Sequence, residues 1–147
     1  MIHYPLKFQV RSQTAPGIST SWTTHSEFLP AQPLTCAIPP EFEGPGGGFS
    51  PEDFYAFAAI NCFAATFKVI AEKSKLVYGG LSLALDLTVD RDEKGAPWMA
   101  KADFQVTLSG VGEATDRAQR ILEKTSQSCL VLNSTRTEKS FQFQVQG

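Results

Sequence analysis

Two cysteines in apolar surroundings are the residues of this chain best suited to chemistry. Cys62 lies in the run Phe54–Phe67, where Asn61 and Thr66 are the only clearly polar side chains. Cys129 ends an apolar stripe with helical spacing, formed by Ala114, Ala118, Ile121, Leu122 and Thr125. Neither cysteine belongs to a Cys-x-x-Cys motif, so the sequence does not indicate a zinc ribbon or a thioredoxin-type site. Two lone thiols in such surroundings are either inert core residues or a redox pair.

A reactive cysteine must be held as its thiolate. A free thiol with a pKa of about 8.5 is only a few per cent ionised at pH 7, and burial disfavours the charge further. Cys62 therefore needs a cation or hydrogen-bond donors beside its sulfur. The sequence offers His25, Lys68 and Lys73 as candidate cations and places none of them securely.

Cys129 can act as a redox partner only if its Cα atom comes within about 7 Å of that of Cys62. A short helical turn beginning near Ser128 is expected to lower the pKa of the Cys129 thiol. The third cysteine, Cys36, stands among prolines and is expected to be structurally incidental. The two histidines have no metal-ligand spacing with each other or with any cysteine, so we expect neither a metal nor a cofactor.

Length and composition suit one globular domain over residues 1–147. The net charge of −2, with no basic run, does not indicate a nucleic-acid partner. The longest uninterrupted apolar stretch, Phe54–Ile60, is too short to cross a bilayer, so no membrane partner is expected. The first residues lack the charged region and apolar core of a signal peptide. These features predict a cytoplasmic protein.

The elements that position the cysteines follow from periodicity. Alternation over Tyr4–Val10, β-forming residues over Ile18–Thr24 and an extended stretch at Leu34–Ile38 predict three strands. Ser50-Pro51-Glu52-Asp53 is a strong start for a helix that continues to about Lys75. Alternating residues then predict an antiparallel hairpin, a helix from Glu113 to Ser128 and a final strand. The order β-β-β-α-β-β-α-β indicates an α+β fold with antiparallel sheets around a long buried helix.

The glycine-rich run Gly46–Phe54, with its Ser-Pro-Glu step, followed by Ala58-Ala59-Ile60-Asn61-Cys62, resembles the OsmC and organic hydroperoxide resistance (Ohr) superfamily. The second cysteine of that family ends the next long helix, where Ser128-Cys129-Leu130-Val131 stands here. The element order also matches, so the resemblance covers nearly the whole chain.

The resemblance implies an OsmC-like intertwined homodimer with its central helices packed together and a site at the subunit interface. It also implies a thiol peroxidase that reduces small apolar organic hydroperoxides in oxidative stress defence. Cys62 would attack and become a sulfenic acid, Cys129 would resolve it, Glu52 would be the acid of the site, and an external dithiol would restore the pair. Glu52 and Cys62 are about 15 Å apart along one helix, so they can share a site only across a dimer interface.

Two positions depart from the family pattern. The organic hydroperoxide reductases use an arginine upstream of the helix, whereas this chain has none between Arg11 and Arg91 and carries Glu41 where some members have it. Leu130 follows the second cysteine, where proline is usual. A non-catalytic OsmC-like binding or stress-associated dimer is therefore the alternative to the peroxidase. A thiol enzyme that acts on another electrophile is a third reading.

Overall fold

The computed structural model describes residues 1–147 as two compact units, Met1–Phe54 and Tyr55–Gly147. The N-terminal unit holds an antiparallel sheet in the order β1-β2-β3, with β1 at Val10–Gln13, β2 at Trp22–Ser26 and β3 at Leu34–Cys36. A 3₁₀ turn, Pro40–Phe42, follows β3. The three predicted strands are present, each shorter than or displaced from the range that alternation suggested.

The largest displacement concerns the first strand. Alternation predicted a strand over Tyr4–Val10, but the pairing with β2 begins only at Val10, which lies opposite Ser26, the last residue of β2. Gln9 still accepts a backbone hydrogen bond from Glu27 at 3.0 Å, but residues 4–8 pair with no strand of the chain. Tyr4 and Phe8 are 77% and 78% exposed, although the Phe8 ring lies 6.2 Å from that of Phe28. The apolar side of the alternating pattern is therefore mostly uncovered in the single chain.

The long helix α1, Pro51–Lys73, begins where the sequence predicted. The Ser50 side chain accepts a hydrogen bond from the Asp53 backbone N–H at 3.1 Å, and the Asp53 carboxylate accepts one from the Ser50 N–H at 2.9 Å. This reciprocal capping satisfies N–H groups that a helix start leaves unpaired. It fixes the residue at which α1 begins.

The C-terminal unit contains a second three-stranded sheet in the order β4-β5-β6. The predicted hairpin is confirmed as β4, Gly80–Arg91, antiparallel to β5, Pro97–Ser109. Two helices, α2 at Thr115–Ser128 and α3 at Leu130–Asn133, carry the chain back, so β6, Glu138–Val145, runs parallel to β5. The α+β prediction is confirmed, and the helical crossover makes this sheet mixed rather than wholly antiparallel.

The core of the C-terminal unit forms where α1 and α2 cover the sheet. Four residues at helical spacing form the buried stripe of α1, namely Ala59, Phe63, Phe67 and Ala71. The ring of Phe63 is fully buried and lies 5.9 to 6.2 Å from the ring centroids of Phe104, Phe141 and Phe143. This stripe holds the middle of α1, and with it Cys62, in place.

The rest of α1 is apolar but uncovered. The helix as a whole has the length and mean hydropathy, 1.6, of a membrane-spanning segment, although the uninterrupted run Phe54–Ile60 is too short. Core helices of soluble proteins pass the same test, but here only 22% of the apolar window is buried. An apolar helix surface of this kind needs a further covering partner.

Candidate functional site

Cys62 lies in the middle of α1, on the flank of its buried stripe. It follows Ala59 by three residues and directly precedes Phe63, so its side chain is half-buried and packs against the edge of the core. Its thiol is free. The apolar helix therefore does not enclose this sulfur completely, and the structure gives it polar neighbours that the sequence did not reveal.

Cys129 lies at the junction of α2 and α3. Its backbone is extended, with φ −71° and ψ 116°, so it ends α2 and begins α3. Its side chain has no exposed surface and belongs to the core cluster. The predicted apolar stripe of α2 is confirmed, since Ala118, Ile121, Leu122 and Thr125 are all buried with it.

The fold brings the two cysteines together. The pKa of the Cys129 thiol is raised to about 11, mainly by burial and also by the side-chain hydrogen bond and charge of neighbouring Cys62, while the backbone N–H groups of Leu132 and Val131 lower it in part. The sequence-based expectation that a helical turn lowers this pKa is wrong, because burial outweighs the N–H donors. Cys129 is therefore a protonated thiol at neutral pH.

Two hydrogen-bonding groups approach the Cys62 sulfur. The backbone N–H of Val131 donates to Sγ over a nitrogen–sulfur distance of 3.4 Å. The hydroxyl of Thr66, one helical turn further along α1, lies 3.9 Å from the same sulfur. The Val131 contact was missed by sequence reasoning, since a backbone donor leaves no residue-type signal; only the short turn after Cys129 hinted at it.

The candidate cations lie elsewhere. Lys68 and Lys73 have exposed side chains, and neither hydrogen-bonds to Cys62. His25 belongs to the N-terminal unit, where it lies 3.9 Å from the Glu27 carboxylate. Arg11, in the same unit, forms an ion pair with Glu27. The hydrogen bonds found at the Cys62 sulfur thus come from uncharged groups.

Glu52 lies in the first turn of α1, in the N-terminal unit. One of its carboxylate oxygens, Oε2, is buried and has no hydrogen-bond partner. A buried oxygen without a donor costs free energy until a donor reaches it. α1 is a single continuous helix, so Glu52 and Cys62 of one chain are ten residues, or about 15 Å, apart along its axis.

Cys36 and the aromatic residues in the first half of α1 make packing contacts and hydrogen bonds. Cys36 is 1% exposed on β3, and its thiol donates weakly to the Leu34 carbonyl at 3.6 Å. Of the aromatic residues near the start of α1, Phe63 belongs to the core and Phe49 packs against Phe54 at 5.7 Å between centroids. Tyr55 hydrogen-bonds to Thr137 over 2.5 Å.

The chain matches the model of a known protein family. The family model for OsmC-like proteins matches residues 44–144, which include α1, Cys62, Cys129, β4, β5 and all but the last residue of β6. No curated protein sequence matches the chain.

Several crystal structures share the fold at low sequence identity. An OsmC-like protein of unknown function from Vibrio cholerae superposes with a TM-score of 0.82 at 15% identity, over 95% of this chain and 99% of that one. An organic hydroperoxide resistance protein from Elizabethkingia anophelis gives 0.77 at 17% identity, over 99% of each chain. The organic hydroperoxide resistance protein OhrB of Bacillus subtilis gives 0.69 at 14% identity, over 95% and 98%.

Proposed function

The chain belongs to the family of OsmC-like proteins, and on that premise we propose that it is a thiol peroxidase that reduces organic hydroperoxides in oxidative stress defence. The observation that carries the proposal is the pairing of two free cysteines in unlike surroundings. Cys62 is half-buried and has hydrogen-bond donors at its sulfur, whereas Cys129 is fully buried and protonated.

The reaction follows from these surroundings. The Cys62 thiolate attacks the terminal oxygen of the hydroperoxide, the O–O bond breaks, and the alkoxide takes a proton and leaves as an alcohol. The sulfur is oxidised by two electrons to a sulfenic acid. Cys129 then loses its proton and attacks the Cys62 sulfur, so that an S–S bond forms and the S–O bond breaks to release water. An external dithiol supplies two electrons and two protons to restore both thiols.

The order of attack is supported by the two environments. A buried thiol with a pKa of about 11 is a poor nucleophile at neutral pH, which leaves Cys62 as the first to react. A neutral sulfenic acid at Cys62 removes the thiolate charge that raises the pKa of Cys129, while the N–H groups of Leu132 and Val131 still lower it. Oxidation of Cys62 thereby makes the Cys129 thiol easier to ionise, which favours its attack on the sulfenic acid.

A homodimer is part of the proposal. The outward surface of α1 is apolar and exposed in the single chain, with Val69 53% exposed, and the segment before β1 carries exposed apolar side chains as well. These surfaces fit a second copy of the chain in an intertwined arrangement, with residues 1–147 of each copy as one OsmC-like domain. The unpartnered Oε2 of Glu52 supports a role as the acid of a site completed by the other subunit.

The proposed substrate class follows from the apolar residues next to the Cys62 sulfur. Cys62 adjoins the apolar core cluster, which favours a small alkyl or aryl hydroperoxide over hydrogen peroxide. The proposed setting is the cytoplasm, where a dithiol reductant keeps cysteine pairs cycling.

Steady-state turnover tests this function. The protein is given cumene hydroperoxide or hydrogen peroxide with a dithiol reductant, and each substrate's consumption is measured for the wild type and for Cys62→Ser, Cys129→Ser and Cys36→Ser. We expect turnover with a preference for cumene hydroperoxide, abolished by Cys62→Ser, reduced by Cys129→Ser and retained by Cys36→Ser, a matched buried cysteine outside the pair. Equal consumption by wild type and Cys62→Ser would instead support the non-catalytic dimer.

A further inference from the structure

We propose that two uncharged donors, the backbone N–H of Val131 and the hydroxyl of Thr66, hold the Cys62 thiolate in place of a cation. The inference rests on the proposed function for its purpose, but it concerns the sulfur itself and can be tested without any peroxide. It assigns roles to one backbone group and one side chain that the cysteine motif does not include.

The Val131 donor exists because of the break between α2 and α3. A helix leaves the N–H groups of its first turn without carbonyl partners. α3 begins at Leu130, and the Val131 N–H has no carbonyl acceptor; it donates to the Cys62 sulfur at 3.4 Å and also approaches the Cys129 thiol. The extended backbone of Cys129 turns this N–H toward α1. The same residue that supplies the second thiol thus orients a donor toward the first.

Thr66 supplies the second donor. Residues four apart lie on one face of a helix, which places its hydroxyl over the Cys62 side chain at 3.9 Å. A threonine inside a helix commonly bonds back to the carbonyl four residues earlier. Thr125 does so, with its hydroxyl 2.7 Å from the Ile121 carbonyl oxygen. The Thr66 hydroxyl faces sulfur instead, and when Cys62 is a thiolate only the hydroxyl has a proton to donate.

No hydrogen bond found at the Cys62 sulfur comes from a charged side chain, and Lys139, which lines a small cavity with Val131, donates instead to the Thr135 carbonyl at 2.8 Å. Of the two lysines on the same helix, Lys68 is six residues beyond Cys62 and on another face, while Lys73 lies about 16 Å further along the axis. Arg136 stacks on Trp98, with its guanidinium carbon 5.1 Å from the ring centroid. The Cys129 thiol also faces Cys62; it is protonated at neutral pH and hydrogen-bonded to the Cys62 side chain, so it adds a third uncharged contact.

The donors act before and during attack on the peroxide. A hydrogen bond to the charged form of a group favours that form, so both contacts raise the population of thiolate at neutral pH. Once the oxygen atom has been transferred, the neutral sulfenic acid holds these donors less tightly.

Alkylation of Cys62 by iodoacetamide tests the Thr66 contact, with rates measured from pH 5 to 10 for the wild type and variants. Thr66→Val, which removes only the hydroxyl, is expected to slow alkylation at pH 7 by about three- to tenfold, the effect of one hydrogen bond to a charged group. The midpoint of its pH–rate profile moves upward. Thr66→Ser restores the rate, and the matched control Thr125→Val leaves it unchanged. An unaltered rate and midpoint in Thr66→Val would overturn the role of Thr66.

The Val131 contact is tested without altering the backbone. In protein labelled with ¹⁵N-valine, the Val131 amide proton resonance is followed over the same pH range in the wild type and in Cys62→Ala. We expect it to shift with the midpoint found by alkylation, and to lose that titration in Cys62→Ala. A Val131 resonance that behaves in the same way in the wild type and in Cys62→Ala would overturn the role of the Val131 N–H. Both readouts are independent of turnover, so an inactive protein with intact donors would refute the peroxidase and not this inference.

Discussion

The backbone nitrogen of Val131 lies 3.4 Å from the sulfur of Cys62, and this contact joins the middle of α1 to the turn that carries Cys129. The turn is a one-residue break between two helices, and it does two things at once. It buries the Cys129 thiol completely and it presents an N–H donor to the other cysteine. The proposed roles of the two thiols, attack on the hydroperoxide by Cys62 and resolution by Cys129, depend on this arrangement.

Folding stability is expected to fall at alkaline pH because of Cys129. The folded protein keeps this thiol protonated up to a pKa of about 11, whereas the unfolded chain ionises it near 9.0. Above the lower value the unfolded state is favoured, so the contribution is fully present below pH 9, decreases through the interval and is lost near pH 11. Its size is roughly 3 kcal/mol. Cys129→Ala should remove this part of the pH dependence in chemical unfolding measured between pH 8 and 11.

The matched control for that experiment is Leu122→Ala, which truncates a buried side chain of α2 that carries no titratable group. It should lower the free energy of unfolding by a similar amount at every pH and leave the alkaline slope as in the wild type. A wild-type slope retained in Cys129→Ala would show that other groups cause it.

We expect the packing of Phe63 in the middle of α1 to contribute strongly to the free energy of unfolding. Its fully buried ring contacts three other rings of the core, so Phe63→Ala should cost about 3–5 kcal/mol in the free energy of unfolding. Gln142→Ala changes an exposed residue of β6 between two of those rings and should cost less than about 0.5 kcal/mol. Urea unfolding of both variants measures the difference. Similar losses in the two would contradict the packing described.

The proposed dimer makes the outer surface of α1 sensitive to charge. Ala65 is exposed in the single chain, so Ala65→Glu would be harmless to an isolated monomer. If α1 packs against a second copy, the substitution buries an unpaired carboxylate and should dissociate the assembly or weaken it strongly. Sedimentation velocity gives the mass of each species. Lys124→Glu, on the exposed side of α2, should leave it unchanged, and a monomeric wild type would contradict the proposed assembly.

Glu52 is expected to matter for turnover more than for folding. Its Oε2 atom gains no hydrogen bond within the chain, so Glu52→Gln should not reduce the free energy of unfolding appreciably. If a donor of the completed site meets this carboxylate, loss of the charge should lower kcat/KM for cumene hydroperoxide by about tenfold or more. Glu41→Gln, an exposed acid of the same unit, is the control. A variant that is destabilised but fully active would restrict Glu52 to stabilising the first turn of α1.

Periodicity predicted the elements around the site well, since both the hairpin β4–β5 and the stripe of α2 depend on side chains that face one core. It failed for Tyr4–Val10, because alternation shows that a strand needs a partner and does not say whether its own chain provides one. It also gave the wrong direction for the pKa of Cys129. Burial depends on every element packed around the thiol, whereas the local turn was all that the sequence displayed. The Val131 donor could not be predicted from residue types, because any residue but proline carries the same N–H.

Thiol mapping after a single exposure to organic hydroperoxide tests the central claim most directly. The reduced protein is mixed with one equivalent of cumene hydroperoxide, quenched with an alkylating agent and digested for mass spectrometry. The account predicts rapid formation of a Cys62–Cys129 disulfide with Cys36 still reduced, and accumulation of the Cys62 sulfenic acid in Cys129→Ser. Thiols that stay reduced at both positions under excess hydroperoxide would contradict it.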